Sequence, residues 1–372
     1  MKKTALLLLT ALLLSSLLGC AGLPPLPSLN DAKDYFDNLY MQDEQESDQG
    51  NQEEEPPYVE DTTSYGYYYD QLSESSKVVY RSIYLDNKNR EDIPIVFREP
   101  LSFSFPHEKA DIAEDIVRGA IGSIVQPALD ALVYDHPNIS WIAMEKGKGS
   151  TFRISSRKQT DANGDVTICI KMMTFQMVYE DGLTEDGIVQ DELAMKAAAM
   201  FAGMPITEKS SRYEKLVILQ EYLCRSVIYE SEALRAHDAA GALLDGRAVC
   251  DGYAKAFKLL CDAYDIPCLI VPGTATQNGK SEPHAWNYVQ MENGEWYAVD
   301  VTWDDHEDIT KQYFLVGSGT VTTMTEGHFS NSHRAAGKFS AGNYTPFTFP
   351  ELSFFRYTEP LLPGDWQKGT EL

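Results

Sequence analysis

Val249-Cys250-Asp251-Gly252-Tyr253-Ala254-Lys255-Ala256-Phe257-Lys258-Leu259-Leu260-Cys261-Asp262-Ala263-Tyr264 carries a helical rhythm. Tyr253, Phe257, Leu260, Cys261 and Tyr264 recur at i, i+4, i+7, i+8 and i+11, one face of an α-helix. Cys250 therefore falls in the first turn, where unpaired N–H groups and the helix dipole favour a thiolate. Two strand-like runs follow, His284-Ala285-Trp286-Asn287-Tyr288-Val289 and Trp296-Tyr297-Ala298-Val299-Asp300-Val301-Thr302-Trp303. Cys250, His284 and Asp300 supply a nucleophile, a base and a group to orient that base.

The turn between the two runs is Met291-Glu292-Asn293-Gly294-Glu295. A two-residue Asn-Gly loop would put His284 and Asp300 on opposite faces of the hairpin, because side chains alternate along a strand. A three-residue loop, Glu292-Asn293-Gly294, brings them to one face, with Asp300 opposite Trp286 and His284 its diagonal neighbour. That loop asks for a left-handed third residue, and Gly294 suits it; the expectation is a three-residue loop with a bulge at Gly294, or a compensating bulge elsewhere.

These blocks resemble the transglutaminase-like superfamily of cysteine enzymes. Arg247-Ala248-Val249-Cys250-Asp251-Gly252-Tyr253-Ala254 is similar to that family's nucleophile segment, His284-Ala285-Trp286-Asn287 to its histidine strand, and Trp296 to Asp305 to its aspartate strand. The likeness covers roughly residues 210–317, with a weaker one at Asp135 to Trp141 to bacterial lipoproteins that carry this domain. It implies an α+β fold with a papain-like core, a nucleophile helix packed on an antiparallel sheet, preceded by a smaller α/β domain. It also implies acyl transfer at amides, with Cys250 as nucleophile, His284 as general base and acid, and Asp300 holding the imidazole. Family members include cross-linking enzymes, peptidases, amidases and proteins that have lost catalysis. A retired scaffold acting as a cell-surface binding module is the competing reading. The chain shows no calcium loop of the kind animal cross-linking members use, which favours hydrolysis over transfer to an amine.

The N-terminus reads as an export signal. Met1-Lys2-Lys3 is basic, Thr4 to Leu18 is apolar but shorter than the ~20 residues of a spanning helix, and Leu17-Leu18-Gly19-Cys20 reads as a lipobox. Residues 1–20 are thus expected to be a signal peptide, with lipid on the Cys20 thiol. Residues 21–71 read as a disordered acidic tether, with twelve Asp or Glu against one Lys between Asp31 and Asp61. The tyrosines at 65, 67, 68 and 69 end it, read as packing on the folded body. Residues 72–206 form the expected α/β accessory domain, 207–317 the catalytic domain and 318–372 a polar extension. The place expected is the outer face of a bacterial cytoplasmic membrane, reached through a lipid anchor only.

A net charge of −25 argues against nucleic acid and against an anionic membrane face as partners. The expected partner is a protein or peptide substrate; sequence does not set the oligomeric state. The remaining cysteines form no C-x-x-C pair and read as buried thiols, with a Cys261–Cys268 disulfide as the lesser reading. His237, His306, His328 and His333 lack paired spacing, so no metal or cofactor is expected. Trp286 reads either as a cleft wall or as a core residue. Tyr229 is a positional candidate for an oxyanion donor.

Overall fold

The structure is a computed structural model that describes residues 64–86, 92–139, 151–176, 205–336 and 347–359. Cys20, the acidic tether as far as residue 63, Trp141 and residues 181–201, whose sequence predicts a helix, lie outside the described residues.

The fold is α+β. The tyrosine cluster closes a short 3-10 turn, Tyr69–Gln71, and Tyr68 and Tyr69 are buried, as a segment packing on the body requires. Helix α1 spans Glu74–Asp86, and Ser73 caps it by accepting the Ser76 N–H at 3.2 Å. Strand β1 (Asp92–Phe105) holds Pro94 and Pro100, and it sits at a sheet edge with its register broken between Val96 and Leu101. Helix α2 (Ala113–Asp135) follows. Its buried face is Val117, Ile121, Val125, Ala128, Leu129 and Leu132. Helical spacing also picks out Ile112, Ile116, Ala120 and Ile124 as an apolar side, yet Ile112 and Ile116 are exposed. Adjacent apolar rows on one helix leave periodicity alone unable to choose between them. Strands β2 (Thr151–Thr160) and β3 (Val166–Gln176) are joined by a turn over Asp161–Asp165, whose Asp-Ala-Asn-Gly-Asp sequence is a turn signal, giving a sheet of order β1-β3-β2.

Helix α3 covers Arg212–Ser226. In the sequence Thr207 and Ser210 also suit a helix cap here, but the cap is Ser211, because Ser211 and Glu214 form a reciprocal capping box. Short strands β4 (Ile228–Tyr229) and β5 (Arg247–Ala248) pair in parallel and lead into α4, Cys250–Asp262. Strands β6 (Cys268–Gln277), β7 (Lys280–Gln290) and β8 (Trp296–Val299) run antiparallel, and a one-turn helix α5 (Val301–Asp304) ends that run. Beyond it come β9 (Val321–Thr323), β10 (Gly327–His328), a one-turn helix α6 (Phe329–Ser332) and β11 (His333–Ala335). β11 returns to β6, so the second sheet has the order β11-β6-β7-β8.

Two large apolar clusters build the body. One joins Tyr68, Tyr80 and the α2 and β3 residues to Leu269, Val271, Trp286 and Tyr288 of the second sheet. The other wraps α4 through Tyr253, Phe257, Leu260 and Cys261 against Leu216, Leu219, Val289 and Val299. Cys224, Cys261 and Cys268 are buried free thiols.

Candidate active site

Cys250 is the first residue of α4, and Val249 before it is extended with no side-chain cap. The N–H groups of that first turn have no partners within the helix. Burial of Tyr253, Phe257, Leu260 and Cys261 fixes the helix on its sheet and leaves Cys250 at the rim, half-buried.

The hairpin places the other two groups. β7 and β8 pair Asn287 with Val299 and Gln290 with Trp296. The Met291 N–H donates to Glu295 O at 3.0 Å and the Gly294 N–H to Met291 O at 2.9 Å. The loop is therefore the three residues Glu292-Asn293-Gly294, with Gly294 at φ +81°. Continuing the same register sets Asp300 opposite Trp286, and His284 lies diagonal to it on the same face.

His284 Nε2 sits 2.7 Å from Asp300 Oδ2. The Asp300 side chain is 0 % exposed and that of His284 7 %. Asp300 Oδ1 accepts the Trp303 N–H at 3.1 Å, making Asp300 the cap of α5 as well. Burial works against charge on both members, but each offsets that for the other. Proximity to His284 and His333 holds the Asp300 carboxyl well below the usual range. Burial would lower the His284 ring, yet the Asp300 carboxylate, and then the Cys250 thiol beside it, push it up to about 10. With Nε2 committed to Asp300, Nδ1 is the ring nitrogen left for that thiol.

A second imidazole reaches the same oxygen. His333 Nε2 lies 3.0 Å from Asp300 Oδ2, and its Nδ1 lies 2.8 Å from Ser332 Oγ. The expectation that His333 belongs to an uninformative tail is corrected here: it is buried within the site. The polar pattern of residues 318–336 hides it, since a three-residue strand is too short to show alternation. His237, His306 and His328 are exposed, as a surface role requires.

Trp286 is 1 % exposed. It packs behind His284, with rings 6.1 Å apart and nearly parallel, and edge-on to His333 at 5.1 Å. Of its two readings, core residue is the one realised. Tyr229 is 57 % exposed, and partial burial, then the neighbouring Cys250 and Glu282, raises its phenol above the usual value.

His284, Asp300 and His333 offer three ligand atoms within 4.8 Å of one another. Both nitrogens, however, already point at a single carboxylate oxygen. A metal would have to break both hydrogen bonds to bind there. The arrangement holds one buried carboxylate between two imidazoles and a backbone N–H.

Residues 201–301 match the family model of the transglutaminase-like superfamily. No curated protein matches the chain. Among solved structures, a TGase is 14% identical with a TM-score of 0.27, over 46% of this chain and 53% of that one. A candidate cysteine protease from Cytophaga hutchinsonii is 16% identical with a TM-score of 0.26, over 57% and 74% of the two chains. The periplasmic domain of TgpA from Pseudomonas aeruginosa is 14% identical with a TM-score of 0.23, over 44% and 68%. The chain thus spans about half the length of the first of these.

Proposed function

We propose that this chain is a cysteine enzyme that cleaves or transfers the acyl group of amide bonds in proteins or peptides. The observation that carries this reading is the line from Cys250 through His284 to Asp300, with His284 clamped at 2.7 Å by a buried carboxylate. The transglutaminase-like match over residues 201–301 supports it.

In this mechanism the Cys250 thiol gives its proton to His284 Nδ1, and Asp300 stabilises the imidazolium that forms. The thiolate attacks the amide carbonyl, and the new oxyanion is met by the Cys250 N–H at the start of α4. Collapse breaks the C–N bond, His284 returns the proton to the leaving amine, and a thioester remains. Water or an amine then attacks that thioester, with His284 as base. Hydrolysis is the preferred outcome in this proposal.

The same proposal sets the enzyme outside the cytoplasmic membrane, held by lipid on Cys20 and standing off on the acidic tether. The lipobox at Leu17-Leu18-Gly19-Cys20 supports it.

Alkylation by iodoacetamide across pH, followed at the Cys250 peptide by mass spectrometry, tests the chemistry. Rapid labelling with an apparent pKa well below the ~8.5 of a free thiol, lost in His284→Ala, is expected. Equal, slow labelling in both proteins would remove the enzyme reading and leave a binding module. A peptide-library screen then identifies the substrate.

A further inference from the structure

We propose that His333 is a positioning residue of this site: its Nε2–H holds the Asp300 carboxylate in the one orientation from which Asp300 can hold His284. The proposal rests on the cysteine-enzyme reading above and extends it to a segment beyond the matched residues 201–301.

A count of protons carries it. An ionised carboxylate only accepts, so both imidazoles must present Nε2–H to Oδ2, His284 at 2.7 Å and His333 at 3.0 Å. His333 is buried with a 0 % exposed side chain, which favours its neutral form with a single N–H. That N–H is at Nε2, so Nδ1 is an acceptor. Ser332 has one hydroxyl proton and two neighbours, His333 Nδ1 at 2.8 Å and Phe329 O at 3.1 Å. Both are acceptors that the hydroxyl can serve; Nδ1 is the nearer, and a proton donated to it favours the Nε2–H tautomer of His333.

The ring is also fixed in space. It stacks on Phe329 at 4.2 Å and 12°, and meets the edge of Trp303 at 4.6 Å. Its backbone is paired to β6 opposite Ala275.

Asp300 needs such a partner. Its charge lies at 0 % exposure, and among the described residues no Lys or Arg pairs with it. Its compensation is the Trp303 N–H on Oδ1 and two imidazoles on Oδ2. The other titratable groups facing it, Asp304 and Tyr313, offer no positive charge, while His284 in turn faces Cys250. Without His333, only the Trp303 N–H on Oδ1 and His284 itself would hold the carboxylate, and it would be aimed less firmly and take up a proton more readily. A carboxylate less well aimed at His284 also stabilises its imidazolium less, so the Cys250 thiolate paired with that ring forms at a higher pH.

The test is the pH profile of Cys250 alkylation in the full chain, read at the Cys250 peptide. His333→Leu should raise the acid limb by about one unit and slow labelling at pH 6 about tenfold, since a hydrogen bond to a charged group is lost. His333→Gln keeps an N–H donor and should restore most of the rate. A leucine variant that matches wild type, or a glutamine variant as impaired as leucine, would overturn the proposal. Should the leucine variant not fold, Ser332→Ala carries the test: a several-fold slowing supports the proposal and an unchanged profile overturns it. Failure of the cysteine-enzyme reading gives a different result, namely slow wild-type labelling that His284→Ala leaves unchanged, and it overturns both.

Discussion

The buried side chain of Asn287 donates to Ala254 O at 2.9 Å and to Leu269 O at 3.3 Å. Asn287 is on β7, three residues after His284, and Ala254 is in α4, one turn after Cys250. One amide therefore ties the strand that carries the base to the helix that carries the thiol. The Asn287 side chain faces the helix because the odd spacing from His284 puts it on the opposite side of the strand.

Asn287→Ala should therefore act on both stability and reactivity. It leaves two buried carbonyls short of a donor, at a cost of about 1–3 kcal/mol. The Cys250–His284 distance should also loosen. Urea unfolding and Cys250 alkylation on the same preparation check this; a stability loss with unchanged alkylation would show that α4 is seated by its apolar face alone.

Asp300→Asn should flatten a stability profile. His284 is raised in the fold from 6.5 to about 10, so its contribution is complete below about 6.5 and fades as pH rises toward 10. Asp300 is lowered, so its contribution holds above its usual value and is lost only in strong acid, below that value. Wild type should thus lose Tm steadily between pH 6.5 and 10. In the asparagine variant, stability should fall by about 3–5 kcal/mol at pH 6, as for breaking a buried ion pair from one side. Its Tm should change little over the alkaline window. Calorimetry across pH reads both effects, and a variant profile parallel to wild type would sink the assignment.

The places of Cys250, His284 and Asp300 in the fold were legible because each lies on or beside a strongly patterned element. Of the two expected ways to bring His284 and Asp300 to one face, the three-residue loop and a compensating bulge elsewhere, the structure has the loop, with Gly294 left-handed in it. His333 was not legible. It lies 33 residues past Asp300 and reaches it only because β11 folds back on β6. Non-local pairing of a three-residue strand leaves no periodic trace. The helix α3 cap was readable from Ser211-Arg212-Tyr213-Glu214, a Ser-x-x-Glu box, and the nearby Thr207 and Ser210 competed with it. The buried face of α2 was ambiguous for the opposite reason, an excess of apolar residues around the helix.

Gly294→Ala isolates the cost of the loop. Gly294 has φ +81°, and a Cβ there meets nothing within 4 Å. The penalty is therefore conformational alone, about 1–2 kcal/mol. Gly294→Asn should cost less, since Asn enters the left-handed region more readily. Chemical denaturation ranks the three. Equal stability of all three would show that the loop does not hold this turn in solution.

Gly252→Ala tests how the thiol is seated without touching the proposed triad. A Cβ at Gly252 would lie 2.5 Å from Ala236 O, 2.8 Å from Ala248 Cβ and 3.0 Å from Asp238 O. Two of these are backbone oxygens in the segment leading to α4, and Val249 N–H donates to Ala236 O at 2.9 Å. The methyl group must push the start of α4 away from that segment, with Cys250 two residues upstream of it. Overpacking of this kind costs about 1–3 kcal/mol. Displacing a reacting atom by about 1 Å can cost roughly 100-fold in rate. Cys250 alkylation should therefore slow by one to two orders of magnitude, with the protein still folded by circular dichroism. The remaining rate should lose its dependence on His284, so that Gly252→Ala combined with His284→Ala is no slower than Gly252→Ala alone. A double variant slower by the full product would show that the helix start tolerates the methyl group and that the thiol keeps its place beside the imidazole.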